Sequence, residues 1–213
     1  MRRSSNPWDQ MIEHVDHGLK IMTGSLPVRS KFQHSDAQSA TALSEAARQR
    51  SSQLMRVNHC GEVCAQGLYH GQSTTARTEK TRQQLRIAAE DEQKHLIWCQ
   101  TRLKELNSHT SYLNPFWYAA SWVTGAVTGL LGDKVSLGFV AATEEEVCQH
   151  LDRHLEELPE DDYRSREIVS AMKADEAHHQ QDALDLGGAR FPTFLKRLMA
   201  LQARVMTSST RWL

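Results

Sequence analysis

The segments AAEDEQKHLIWC (residues 88–99) and MKADEAHHQQDAL (residues 172–184) decide the fold. Each carries a Glu three residues ahead of a His: Glu92 with His95, and Glu176 with His179. That spacing sets both side chains on one helical face, close enough to share a metal ion. One such pair arises readily by chance, because Glu and His are common. Upstream of each pair, however, a further Glu stands beside apolar residues. Glu62, in LMRVNHCGEVCAQGLY (54–69), precedes Glu92 by 30 residues, and Glu144, in FVAATEEEVC (139–148), precedes Glu176 by 32. Such an interval accommodates one helix, a short turn and a return helix. The chain therefore reads as two matched helical hairpins, each offering Glu and then Glu-x-x-His.

One Glu from each of two helices, and Glu-x-x-His from each of two others, is the donor set of a two-metal carboxylate centre inside a four-helix bundle. Carboxylates supply anionic oxygens that bridge two cations and tolerate both Fe(II) and Fe(III). One imidazole per metal leaves coordination positions open for dioxygen. The apolar flanks would bury these carboxylates, and buried charge is costly unless paired or metal-bound. Two choices of frame stay open on spacing alone. Glu144, Glu145 and Glu146 are consecutive, and only one should face the metals. Asp175 with His178 competes with Glu176 and His179, although the latter repeats the Glu92–His95 pair. His59, three residues before Glu62, and Tyr69, seven after it, share that helical face and are candidates to hydrogen-bond a ligand or line its cavity. His150 is a further candidate. His150 and His154 have the spacing to chelate zinc, but no third ligand accompanies them, and solvent-facing histidines are the expectation.

Outward from these motifs, the rest of the 213 residues fit one domain with a real core. Lys and Arg total 25 against 26 acidic residues, so the net charge of -1 gives no electrostatic case for nucleic acid. Few Gly, Pro and β-branched runs favour an all-α chain. Cys60, Cys64, Cys99 and Cys148 form no CxxC pair, which argues against a zinc ribbon or disulfide framework and for free, small, buried thiols. The opening residues lack an apolar signal-peptide core, and the expectation is a bacterial protein, peripheral on the cytoplasmic face of the inner membrane.

Long helices are expected from Thr41 or Ser44 to about Ser73, from Thr78 to Leu106, from Asp133 to Leu158 before Pro159, and from Asp161 or Asp162 to Leu186 before Gly187-Gly188. Residues 1–40 read as an N-terminal amphipathic helix (Trp8, Met11, Ile12, Val15 and Leu19 on one face) plus a linker at 28–40, leaving 41–213 as the metal-binding domain. Residues 106–132, a stretch of 27, contain no Asp, Glu, Lys or Arg. Its most apolar part, 116–131, has 16 residues, fewer than the roughly 20 that span a bilayer. Phe116, Trp117, Tyr118 and Trp122 cluster at one end as interfacial aromatics do. Interfacial or re-entrant insertion is therefore expected, against the alternative of a helix buried in the bundle. A C-terminal amphipathic helix capped by Thr193, with Phe194, Leu195, Leu198, Leu201 and Val205, would assist.

LMRVNHCGEVCAQGLY, EDEQKHLIWC, WVTGAVTGLLGDKVSLGFVAATEEEVCQHL and MKADEAHHQQDAL together resemble the demethoxyubiquinone hydroxylases of ubiquinone biosynthesis, from about Leu54 to the C-terminus. RVNHxGE followed by the aligned Tyr is more specific than the Glu-x-x-His pairs. The resemblance implies a ferritin-like antiparallel four-helix bundle with additional membrane-associated amphipathic helices. It implies that Glu62, Glu92, His95, Glu144, Glu176 and His179 bind two Fe ions, and it selects Glu144 from the three consecutive glutamates. The implied activity is a di-iron monooxygenase that hydroxylates the benzoquinone ring of a demethoxy-polyprenyl quinone with dioxygen. NADH is the implied electron source, although no Gly-rich nucleotide fingerprint is visible. The implied partners are the polyprenyl benzoquinone, dioxygen, a membrane lipid surface, and a biosynthetic complex or a second copy of the chain. Leu151 stands where family members often have Tyr, and Cys60 and Cys64 replace smaller residues. Two other functions suit the same scaffold: a quinol oxidase or peroxidase, and a non-enzymatic iron- or quinone-binding accessory protein.

Overall fold

The computed structural model describes residues 43–213, together with Ile12, Asp16 and residues 18–21. Among them, six helices follow one another: α1 (Glu45–Thr75), α2 (Glu79–Glu105), α3 (Asn114–Leu130), α4 (Asp133–Glu157), α5 (Tyr163–Asp185) and α6 (Thr193–Thr210). The starts of α1, α2 and α5 are set by short polar side chains that satisfy otherwise orphaned first-turn amides. Ser44 accepts from the Ala47 amide, Thr78 from Thr81 and Asp162 from Ser165. The end of α5 is set by Gly187, whose φ of 93° lets the Gly187 and Gly188 amides turn back to the Leu184 and Ala183 carbonyls. Thr193 does not cap α6: Pro192 holds that position, with no side-chain hydrogen bond. The division after residue 40, the linker 28–40 and most of the expected N-terminal helix lie outside the described residues. Of that helix, Ile12 and Leu19 are exposed, while Ile21 is buried beside Val63, Leu96, Ile97 and Tyr118.

Helices α1 and α2 form one hairpin and α4 and α5 the other, and the two hairpins make the all-α bundle. Its interior is layered. One apolar layer joins Leu54 and Met55 of α1, Cys99 and Leu103 of α2, Leu151 of α4, and Ile168, Val169 and Met172 of α5. The other joins Tyr69, Leu85, Ala88, Ala89, Val140, Ala141 and Ala183 from the same four helices. Along every helix the candidate ligands fall between these layers, which both exclude water and hold the backbones apart by a fixed packing distance. Arg102 locks the α2–α5 end: its Nη2 lies 2.8 Å from Asp162 Oδ1, and its Nε donates to Ser165 Oγ at 2.9 Å.

The apolar segment forms α3, which lies along α1 rather than inside the bundle. Gly67 and Gly71 of α1 lie against the Tyr118–Trp122 and Trp122–Ala126 backbone of α3, and Gly125 and Gly129 of α3 lie against Leu68, Gln72 and Thr75 of α1. A Cβ at Gly67 would come 2.5 Å from the Tyr118 carbonyl oxygen. Only glycine permits backbones that close. The far face of α3 carries Phe116, Val123, Val127 and Leu130, all exposed. The predicted apolar stripe of α6 is also largely outward: Phe194, Leu198, Leu201 and Val205 are exposed and Leu195 is half-buried. No helix among the described residues is long and apolar enough to cross a membrane.

Candidate metal centre

Each of the bundle's four long helices delivers carboxylate or imidazole groups to the space between the apolar layers. Glu62, Glu92, Glu144 and Glu176 are all at most 4% exposed, His95 is fully buried and His179 is 8% exposed. His95 Nδ1 lies 2.9 Å from Glu92 Oε2, 3.1 Å from Glu176 Oε1 and 3.7 Å from Glu62 Oε2. His179 Nδ1 lies 2.9 Å from Glu92 Oε1 and 3.2 Å from Glu176 Oε2. Glu92 and Glu176 therefore each offer one oxygen to each imidazole, while Glu62 stands on the His95 side. Glu144 accepts a hydrogen bond from the Tyr69 hydroxyl. Of the neighbouring glutamates, Glu145 pairs with Lys196 and Glu146 with Arg153. His178 is exposed near Asp182, and Asp175 meets the outer nitrogen of His95 rather than the carboxylate cluster, so the competing Asp175–His178 frame does not supply the donors.

The electrostatics of this cluster are extreme. Burial, with repulsion from Glu92 and Glu176, holds the Glu62 carboxyl well above its usual range despite the His95 contact. Burial and repulsion from Glu176 and Glu92 do the same to Glu144. Burial also disfavours a charged Glu92, but the contacts to His179 and His95 outweigh it and hold that carboxyl low. His179 is pushed up to about 11: burial opposes its charge, and the contacts to Glu176 and Glu92 prevail. Glu62 Oε2 and Glu92 Oε1 accept no aligned hydrogen bond, although His179 Nδ1 is near the latter. Four buried carboxylates with oxygens left over and two imidazoles facing them are a poor apolar core and a good donor set for two divalent cations. Glu62, Glu92, His95 and Glu176 could hold one ion, with donor atoms all within 4.8 Å of one another.

Two aspartates, unsuspected in this role from the sequence, back the imidazoles. His95 Nε2 donates to Asp175 Oδ2 at 2.9 Å, a contact that holds the Asp175 carboxyl low. Asp91 Oδ2 is 3.8 Å from His179 Nε2. The available signal was the repetition of Asp immediately before each Glu-x-x-His Glu. His59 turns to α3, where Asn114 Nδ2 lies 3.4 Å from its Nδ1, and burial pushes it down to about 4. Against expectation, His154 is buried and His150 half-buried, with ring centroids 3.9 Å apart. Burial lowers both, to about 2 and about 4, and Arg153 and Arg211 oppose a positive charge there.

A cavity of about 180 Å³ opens onto the carboxylate side of the cluster, reaching Glu62, Glu92, Glu144 and Glu176. Its walls come from α1, α3, α4 and α6, including Leu68, Trp117, Phe139, Val147, Met199 and Met206. His150, Arg153 and Arg204 also line it. An apolar chamber with a few polar groups at a buried anionic cluster suits an apolar ligand whose reacting part meets the metals.

Residues 49–210 match the family model described as "Ubiquinone biosynthesis protein COQ7". A protein of Chromohalobacter salexigens named 3-demethoxyubiquinol 3-hydroxylase is 49% identical over 209 residues, covering 98% of each chain. Proteins of the same name from Pseudomonas syringae pv. syringae and Nitrosococcus oceani are 46% and 45% identical, over 98% and 96% of this chain and 97% and 96% of their own.

Proposed function

Because the chain belongs to the family of ubiquinone biosynthesis protein COQ7, we propose that it is a di-iron monooxygenase that hydroxylates the ring of a demethoxy-polyprenyl quinone, taken in its quinol form. The observation that carries this reading is one continuous space: an apolar chamber ending on four buried glutamates and backed by two imidazoles. Glu62, Glu92, His95, Glu144, Glu176 and His179 would hold the two irons. Iron bound there supplies the electrons and open positions that activate dioxygen towards an aromatic ring.

The residues of the chain do the rest. Trp117, Met199 and Met206 pack around an apolar ring and its chain and keep water from the reacting face. Tyr69 donates to one oxygen of Glu144 and so fixes that carboxylate at the wall of the chamber. In the overall reaction, quinol, dioxygen, NADH and a proton give hydroxylated quinol, water and NAD+, with NADH as the two-electron donor. Iron-loaded protein given a demethoxyquinol analogue, NADH and labelled dioxygen should place one labelled atom on the ring, and Glu176→Ala should abolish this. Oxygen or peroxide consumption without ring hydroxylation would favour a quinol oxidase or peroxidase on the same scaffold. Bound iron with no turnover would favour an accessory protein.

A polyprenyl substrate resides in lipid, and the exposed apolar faces of α3 and α6, two helices that wall the chamber, suit a membrane surface. The proposed location is the cytoplasmic side of a bacterial inner membrane, held peripherally. Liposome flotation tests it: the chain should float, and Leu130→Asp with Leu198→Asp should leave it in the soluble fraction. A wild-type chain that ignores liposomes refutes the membrane claim.

A further inference from the structure

Behind the two imidazoles the protein is asymmetric where its sequence is symmetric. Asp91-Glu92-x-x-His95 and Asp175-Glu176-x-x-His179 repeat one pattern, and each Asp leans towards the histidine of the other helix. Asp175 Oδ2 accepts from His95 Nε2 at 2.9 Å. Asp91 Oδ2 stands 3.8 Å from His179 Nε2, beyond hydrogen bonding, and its other oxygen is paired with Lys94.

The metal-facing side is unequal in the same sense. Glu62, Glu92, His95 and Glu176 already bring their donor atoms within 4.8 Å of one another, and Glu62 Oε2 carries no hydrogen bond. On the other side, Glu144 has Oε1 committed to the Tyr69 hydroxyl. His95 is fully buried against Trp98, its ring centroid 5.2 Å away, whereas His179, also buried, keeps 8% exposure.

A carboxylate on the far nitrogen of a ligating histidine fixes its tautomer, aims the ring and strengthens it as a donor. We propose that Asp175 is a positioning residue that makes the Glu62–His95 half of the centre the tighter of two unequal metal positions. This rests on the two-metal reading above. The first metal ion taken up enters the Glu62–His95 half. The second enters the Glu144–His179 half, where the backing Asp91 is too distant and already neutralised.

The test is an anaerobic titration of the metal-free protein with Fe(II) by calorimetry, repeated with Co(II) and read by its ligand-field absorption. Wild-type protein should show two resolved equivalents. Asp175→Asn, which retains an acceptor oxygen but loses the charge, should weaken the tight equivalent by about 10–100-fold and shift its Co(II) spectrum. Asp91→Asn should leave that equivalent within about threefold, since Asp91 lies beyond hydrogen-bond range. The Asp175 side chain is 51% exposed, so its variant should fold, and melting of the metal-free proteins verifies this. An unchanged tight equivalent in Asp175→Asn, or equal weakening by Asp91→Asn, overturns the inference while leaving two metals bound. Fewer than two equivalents in the wild type, or two retained by Glu176→Ala, overturns the two-metal reading itself and the inference with it.

Discussion

Replacing Gly71 by Ala tests whether the apolar helix α3 is part of the folded protein or only rests against it. The new Cβ would overlap the Trp122 carbonyl oxygen and lie 2.7 Å from the Ala126 amide nitrogen and 2.9 Å from the Trp122 carbonyl carbon. Ordinary contact begins at 3.4 Å and the Trp122 carbonyl oxygen is the nearest atom, so relief requires the helices to part by more than about 1 Å. All three neighbours are backbone atoms and cannot rotate aside. A gap of that size forfeits about half or more of the dispersion energy of each contact it opens. Overpacking of this kind costs about 1–3 kcal/mol or more, against a helix-propensity gain of about 1 kcal/mol for Ala. With backbone on both sides the upper end applies, and the net loss is about 2 kcal/mol. In a chain this long that lowers the melting temperature by about 4–8 °C, measured by circular dichroism. Gly61→Ala is the control: nothing lies within 4 Å of its Cβ, so it should melt at or slightly above the wild type. If Gly71→Ala melts no lower than Gly61→Ala, the close approach of α1 and α3 does not hold that helix in place.

Other perturbations probe different links. Arg102→Ala leaves Asp162, which is 1% exposed, without its charged partner, and should cost about 3–5 kcal/mol in urea unfolding. A loss below about 1 kcal/mol would mean that water replaces the guanidinium. Tyr69→Phe removes the donor to Glu144 and should weaken the second metal equivalent about tenfold while sparing the first. Equal weakening of both would contradict the division of the centre into halves. The His150–His154 pair should make the fold acid-sensitive. Above the unfolded-state value of about 6.5 both rings are neutral in either state and their titration adds nothing to stability. As pH falls below it, the unfolded chain takes up protons that the folded chain refuses, since the folded values are about 4 and about 2. Stability should therefore drop by up to about 1.4 kcal/mol per pH unit for each ring between about pH 6.5 and 4. His154→Gln should show a shallower loss than the wild type over that window, and parallel slopes would refute the assignment.

The hairpin pairs were legible because helical period, cap residues and donor chemistry are all local. Ser44, Thr78 and Asp162 announce helix starts, Gly187 announces an end, and Glu-x-x-His at matched spacing announces that two such hairpins share a purpose. Thr193 misled because a Thr and the Pro before it both suit a helix start, and the backbone gave the cap to Pro192. His150 and His154 looked like a polar stripe facing water. Their burial depends on which neighbours cover α4, among them Arg211, far along the chain.

What the chain alone determined is the inventory: all-α, two matched hairpins, six donors of the right chemistry, and an apolar segment too short to span a bilayer. Glu144 was already selected among the three consecutive glutamates by the family resemblance, whereas the Tyr69 contact that holds it, the cross-helix aspartates and the course of α3 along α1 required the tertiary structure. Those features depend on where atoms more than 50 residues apart meet, as Tyr69 meets Glu144 and Asp175 meets His95. A helical period says which face a side chain shares, but only packing decides what that face touches. The unequal support of the two histidines is part local and part tertiary: Lys94 pairs with Asp91 three residues before it, whereas the contact of Asp175 with His95 joins two helices far apart in the chain.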